Sequence, residues 1–283
     1  MFIIIGIIFV LGSIVGGYLM EHGNLHVLMQ PAELVIIGGS AAGSLFIMAP
    51  PKCLFKIFKA LPAVLGGSKY SKDSYLELLS LLYEMFSNIR KEGLLAIEKD
   101  IESPDKSALF KKYPKILANH HAMDFLCDNM RVFVVGIKPM EFDEMMTLEL
   151  ETHHTEQATT PGLVTKVADS LPGFGIVAAV MGVVITMGKM AEPPEVIGRS
   201  VASALVGTFL GILLSYGFVG PLANNLEHKA NEDSKYLAAI KTSLLAFAND
   251  MPPQMAVEFG RRVLYEDAKP SFKELEVAVK KKK

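Results

Sequence analysis

Few side chains in this sequence are of types and spacings that could do chemistry. Thr208 and Tyr216 put hydroxyls into residues 201–222, an apolar run with no Asp, Glu, Lys, Arg or His. Arg90 and Glu98 lie on either side of Gly93 in a charged stretch, where a solvated helix face is the plain reading. His120-His121 and His153-His154 are adjacent pairs, and adjacent residues face different sides of a helix, which suits solvent better than a metal. No P-loop, GxSxG, CxxC or HExxH signature is present. We therefore expect no enzyme, no cofactor and no bound metal.

The absence that matters most concerns protons. A route for protons through lipid needs an ionisable group at depth, and such groups are costly enough to be kept only for function. The four apolar runs of this chain, residues 2–20, 34–48, 171–187 and 201–222, contain none. Either the chain is structural, or a partner polypeptide brings a carboxylate into a groove lined by Thr208 and small residues.

The elements that would position these groups follow from the runs. Residues 171–187 and 201–222 are long enough to cross a bilayer as helices, joined by a turn at 188–200. Ser203, Gly207, Gly211 and Ser215 recur every fourth position, and Gly175, Ala179, Gly182 and Thr186 keep a similar spacing. Small faces of this kind let helices approach closely in lipid. Part of such a face could instead line something that moves. Each run has a proline near one end, Pro172 and Pro221. Pro172 after Asp169-Ser170 reads as a first-turn proline behind a cap, and Pro221 as an ordinary stop; the alternative is a coupled hinge at matched depth.

The remaining chain supports a membrane protein with a large polar part. Of its 283 residues 51% are hydrophobic and 20% charged, and mean hydropathy is positive. A net charge of −2 argues against general nucleic-acid binding. Cys53 and Cys127 make no disulfide framework. Residues 2–20 read as a retained span, with Gly12, Gly16 and Gly17 as a small face. No Lys or Arg precedes Lys52, after which Lys56, Lys59, Lys69 and Lys72 follow closely. The positive-inside rule then puts that side in the cytoplasm, with both termini, and puts residues 21–33 and 188–200 outside. Helical periodicity in the insertion predicts helices at 75–89 and 94–101, at 116–135 after Pro114, and at 141–156 after Pro139. Further helices are expected at 227–248 and 255–265, and a mobile segment from Lys269 into the terminal lysines 280–283.

Three stretches resemble the MotA family of flagellar stator subunits, within the MotA/TolQ/ExbB group. They are Gln30-Pro31-Ala32-Glu33-Leu34-Val35-Ile36, Asp169-Ser170-Leu171-Pro172-Gly173-Phe174-Gly175, and Val206-Gly207-Thr208-Phe209-Leu210-Gly211 running on to Ser215-Tyr216-Gly217. Ala256-Val257-Glu258-Phe259-Gly260-Arg261 and Pro270-Ser271-Phe272 also fit. The likeness is thinner around His120-His121 and residues 147–154.

The resemblance implies a homopentamer around a MotB dimer in the bacterial inner membrane. MotB supplies the ion-binding aspartate, and the cytoplasmic part drives the rotor protein FliG. It implies that Arg90 and Glu98 contact the rotor, that Thr208, Ala179 and Tyr216 line the ion path, and that Pro172 and Pro221 couple conformations. Ala at position 179 is similar to the proton-driven members of the family. The expected fold class is an all-α membrane protein, with four transmembrane helices as two hairpins, a large helical cytoplasmic insertion and a helical tail. The expected domains are residues 1–51 and 167–223 in the membrane, and 52–166 and 224–283 in the cytoplasm. An energiser of the TolQ/ExbB kind is the alternative; its members usually have three spans. A structural membrane scaffold is a third.

Overall fold

The computed structural model describes residues 2–64 and 66–280. Among the described residues no strand occurs, and the chain divides into two compact units. The first holds residues 1–67 and 156–228, the second residues 68–155 and 229–283. Four helical stretches are long and apolar enough to cross a membrane: Phe2–Met20, Leu25–Met48, Pro139–Met187 and Pro194–Ala248.

In the first unit, α1 (Phe2–Met20) buries no side chain. A Cβ added at Gly12, Gly16 or Gly17 would meet nothing within 4 Å. The small face expected to pack is therefore open within this chain. After α2 (Leu25–Leu28), α3 (Pro31–Met48) opens with Pro31 in its first turn, where a missing N–H costs nothing. Gln30 donates to Ser203 Oγ at 2.9 Å, and Ile37 and Ala41 are buried further along the same face. A fourth helix, α4 (Pro51–Val64), opens the insertion that the sequence reads as helical. Its Ile57 and Val64 pack with Leu163, Val164, Ala223 and Leu226.

The second unit is built around α5 (Lys72–Glu92), capped by Ser71 and ended at Gly93, where φ is +87°. Leu78, Leu79, Leu81, Leu82, Met85 and Phe86 on α5 are fully buried. Because Gly93 takes a backbone that other residues resist, the expected helix at 94–101 is instead a 3₁₀ turn, Leu94–Ile97, followed by the short α6 (Glu98–Glu102). The helix expected at 116–135 is also broken, into α7 (Pro114–Leu117) and α8 (His120–Val135).

The largest departure lies further on. The helix expected at 141–156 and the third apolar run are one element, α9 (Pro139–Met187), 49 residues long with Pro161 and Pro172 inside it. Pro172 is thus not a first-turn proline. Ser170 does not cap a helix start but donates back to Val167 O at 2.8 Å. The fourth run begins as α10 (Pro194–Ile212) and widens into a π-helical segment, Leu213–Val219. It continues as α11 (Gly220–Ala248), so Pro221 is no stop. Proline lacks the N–H that the carbonyl four residues back would accept, and its ring crowds that carbonyl. A π-helical stretch is one way a helix absorbs such a defect.

Within the second unit, α11 and α12 (Pro253–Arg262) cross closely at Gly260. A Cβ there would collide with Ser243 Oγ and stand 2.8 Å from Ala239 O. Tyr70, Tyr75 and Tyr236 form an aromatic cluster, with Tyr70 and Tyr236 centroids 4.5 Å apart. The segment expected to be mobile contains α13 (Phe272–Lys280), whose Leu275 and Val279 are buried in the core with α5. Apolar residues at helical spacing, Leu275 and Val279, outweigh its charge. Lys281, Lys282 and Lys283 lie outside the described residues.

Candidate functional site

The small residues of α9 and α10 meet backbone to backbone. A Cβ on Gly175 would stand 2.7 Å from Gly207 O, and one on Gly211 would stand 2.6 Å from Leu171 O. Gly182 stands as close to Ala204, whose Cβ would lie 2.6 Å away. Ser215 is buried, and Thr186 turns its hydroxyl back to Gly182 O at 2.8 Å. Glycine is required here because two helices share the space a side chain would fill. Thr208 and Ala179, both half-buried, flank this seam. The Ala179 amide nitrogen would lie 3.1 Å from a Cβ on Gly207.

The same seam holds a carboxylate. Glu33, in the first turn of α3, is 9% exposed. Its Oε2 would stand 2.6 Å from a Cβ on Gly207, and that oxygen is buried with no hydrogen-bond partner. The expectation that the spans hold no ionisable group is therefore corrected. The helix of the second run begins at Pro31 rather than at residue 34, and it carries Glu33 into the packing. Proline at a helix start followed by an acid in the first turn was the available signal.

Tyr216 does not join the seam. It lies in the π-helical segment and is 72% exposed. Pro221 is exposed and Pro172 half-buried.

The charged pair sits in the second unit. Arg90, on the last turn of α5, is exposed, yet its guanidinium is engaged. Nη2 donates to Asp250 O at 2.6 Å and Met251 O at 3.3 Å, and the group lies 5.7 Å from the Phe247 ring centroid. Those carbonyls belong to the turn that ends α11, where Asp250 has φ +60° and Met251 N–H reaches back to Ala246 O. A cation at a helix C-terminus is favourable. Glu98 opens α6 and is exposed. Among the described residues the two form no ion pair with each other. His121 and His153 bring their rings edge to face, with centroids 5.9 Å apart.

A further charged cluster lies on α12. Arg261 makes two hydrogen bonds of 2.7 Å to the buried Glu258 and donates a third to Pro270 O. The Arg261 hydrogen bonds, with Arg262 assisting, hold the Glu258 carboxyl below the usual carboxylate range against the opposing effect of burial.

The family model described as Motility protein A N-terminal matches residues 4–93, and that of the MotA/TolQ/ExbB proton channel family matches residues 117–239. Motility protein A of Escherichia coli is 45% identical over 99% of this chain and 95% of that protein. The chain belongs to the motility protein A family. Motility protein A of Salmonella typhimurium is 43% identical over the same shares, and chemotaxis protein LafT of Vibrio parahaemolyticus is 34% identical over 96% of both chains. Among solved structures, C. jejuni MotAB superposes with a TM-score of 0.78 at 21% identity, covering 95% of this chain and 98% of that one. The MotAB stator complex of Bacillus subtilis gives 0.73 at 23% identity, covering 90% and 92%. The fold of the motility protein A family is therefore the fold of this chain, a helical multi-pass membrane protein.

Proposed function

We infer that this chain is a stator subunit of the bacterial flagellar motor. It works with a MotB partner to pass protons across the inner membrane and to turn that flow into torque on the rotor. The observation that carries this is the 45% identity to Motility protein A over essentially the whole of both chains. Membership of a family described as proton channels supports the ion.

In this reading the spans form two hairpins with both termini in the cytoplasm, and the second unit is the cytoplasmic part. Five copies enclose a MotB dimer, whose aspartate passes Thr208 and Ala179. The open glycine face of α1, and the absence of any buried side chain on that helix, support packing against other membrane helices. Tyr216 borders the path from the π-helical segment, and Pro172 and Pro221 let the helices shift as the proton moves. One charge crossing 100 mV supplies about 2.3 kcal/mol. That is enough to bias a packed ring between discrete positions.

Arg90 and Glu98 meet charges on the rotor protein FliG. Exposed ion pairs contribute only about 0–1 kcal/mol each, which suits a contact that forms and releases repeatedly.

The test is genetic. Removing this chain should leave cells flagellated but paralysed, and restoring it should restore swimming. Envelope leakiness with normal swimming would contradict the reading and favour a TolQ/ExbB-like energiser. Reversing the signs of Arg90 and Glu98 together with their rotor partners should recover motility lost in the single reversals. Reporter fusions at each terminus should report the cytoplasm.

A further inference from the structure

We propose that Glu33 is a proton-binding site of this chain's own, at the outer end of the conduction route beside Thr208. The proposal rests on the stator reading and assigns one more step to it.

Three observations carry it. The carboxyl is enclosed, and its Oε2 has no hydrogen-bond partner. An enclosed ionised oxygen without a partner is costly, and binding a proton removes that cost. The carboxyl is also aimed at Gly207, next to Thr208 in sequence, on the seam where Ala179 approaches. These are the two positions that line the proposed path. Finally, the turn holding Glu33 is pinned. Gln30, one turn away, is hydrogen-bonded to Ser203, one turn before Gly207 on α10.

The charged groups of α10, Glu195 and Arg199, are exposed towards its start. α9 presents Ala178 and Ala179, α10 presents Gly207 and Ser203, and α3 continues with Ile37 and Ala41. On α2 the titratable group is His26, which is exposed. In the orientation proposed above, Glu33 stands nearer the outer surface than Thr208. The step is a simple transfer: the carboxylate takes a proton from outer water, becomes the neutral acid, and gives the proton onward to the MotB aspartate. The carboxylate is then restored, and no electron moves.

The test uses the full chain expressed with its MotB partner in cells lacking both. Glu33→Gln and Glu33→Asp are compared with wild type for membrane level, rotation speed and cytoplasmic acidification, from about pH 6 to about pH 8 outside. Expected for Glu33→Gln is a normal membrane level, with speed and acidification down roughly tenfold or more near neutral pH and a flattened response to external pH. Glu33→Asp should retain rotation with a displaced pH profile. Should Glu33→Gln fail to reach the membrane, Glu33→Asp decides alone, and an unchanged profile overturns the proposal. Wild-type speed and profile in Glu33→Gln also overturn it. A wild-type chain that cannot rotate the filament contradicts the functional reading itself, so the two failures are distinguishable.

Discussion

Glu258 and Arg261 show how a buried charge is tolerated in this chain. The carboxylate is enclosed but accepts three hydrogen bonds, two from Arg261 and one from Arg262. Arg261→Ala should cost about 2–3 kcal/mol, because it strands the acid; chemical denaturation measures it. The pH dependence has a definite sign. The folded carboxyl titrates below the unfolded value of about 4.3. Its stabilisation is therefore complete above that value and disappears as pH falls through the lower folded one. Acid unfolding should begin earlier and less steeply in Glu258→Gln. Cys127 behaves differently. Burial pushes its thiol up to about 12, outweighing the lowering by Arg131. A maleimide at about pH 7.5 should leave it unmodified until the chain is unfolded, while half-buried Cys53 reacts first. Prompt labelling of Cys127 in the native chain would contradict this. Arg90 carries a warning for charge-reversal experiments: its guanidinium also closes the end of α11, so Arg90→Glu removes a helix cap as well as a charge. Arg90→Lys keeps the charge and so measures the loss of the cap by itself.

Among the elements, the π-helical segment before Pro221 is the one most shaped by a single residue. Pro221→Ala should restore regular α-helix through residues 213–219 and stabilise that stretch by up to about 3 kcal/mol. If the segment serves as the proposed hinge, the variant reaches the membrane at normal levels yet rotates the motor slowly or not at all. Full rotation with an unchanged torque–speed curve would count against the hinge. At the other end of the chain, α13 inserts Leu275 and Val279 into the core of the second unit. Ending the chain before Phe272 uncovers that surface and should cost about 3–5 kcal/mol. The readout is faster proteolysis and a lower Tm; an unchanged Tm would mean that the helix contributes nothing.

For the whole molecule the ion is the question with the largest consequence. Ala179 lies on the seam and brings no hydroxyl to it. With Ala there, swimming speed should not change when external sodium is replaced by potassium at fixed pH, and a protonophore should stop it. Speed that follows sodium would overturn the proton assignment. The face of α1 is open, with no buried side chain on that helix. Alone, this chain leaves apolar surface that only lipid or further membrane helices can cover.

The apolar runs fixed the class of this protein without help, because hydrocarbon accepts few other backbones. The every-fourth spacing of Gly207 and Gly211, and the similar spacing of Gly175 and Ala179, likewise pointed to close helix packing, which in lipid needs small residues. Periodicity reads one helix at a time, and there the sequence stopped. It could not tell that Pro172 sits inside a 49-residue helix, because proline at a start and proline in a tolerated interior look alike in the sequence. Nor could it place Glu33, one residue before an apolar run, as buried rather than facing water: that depended on Gly207, 174 positions away, leaving room for its carboxyl. Burial of a polar group is a property of what packs over it, and that is decided only when distant segments meet.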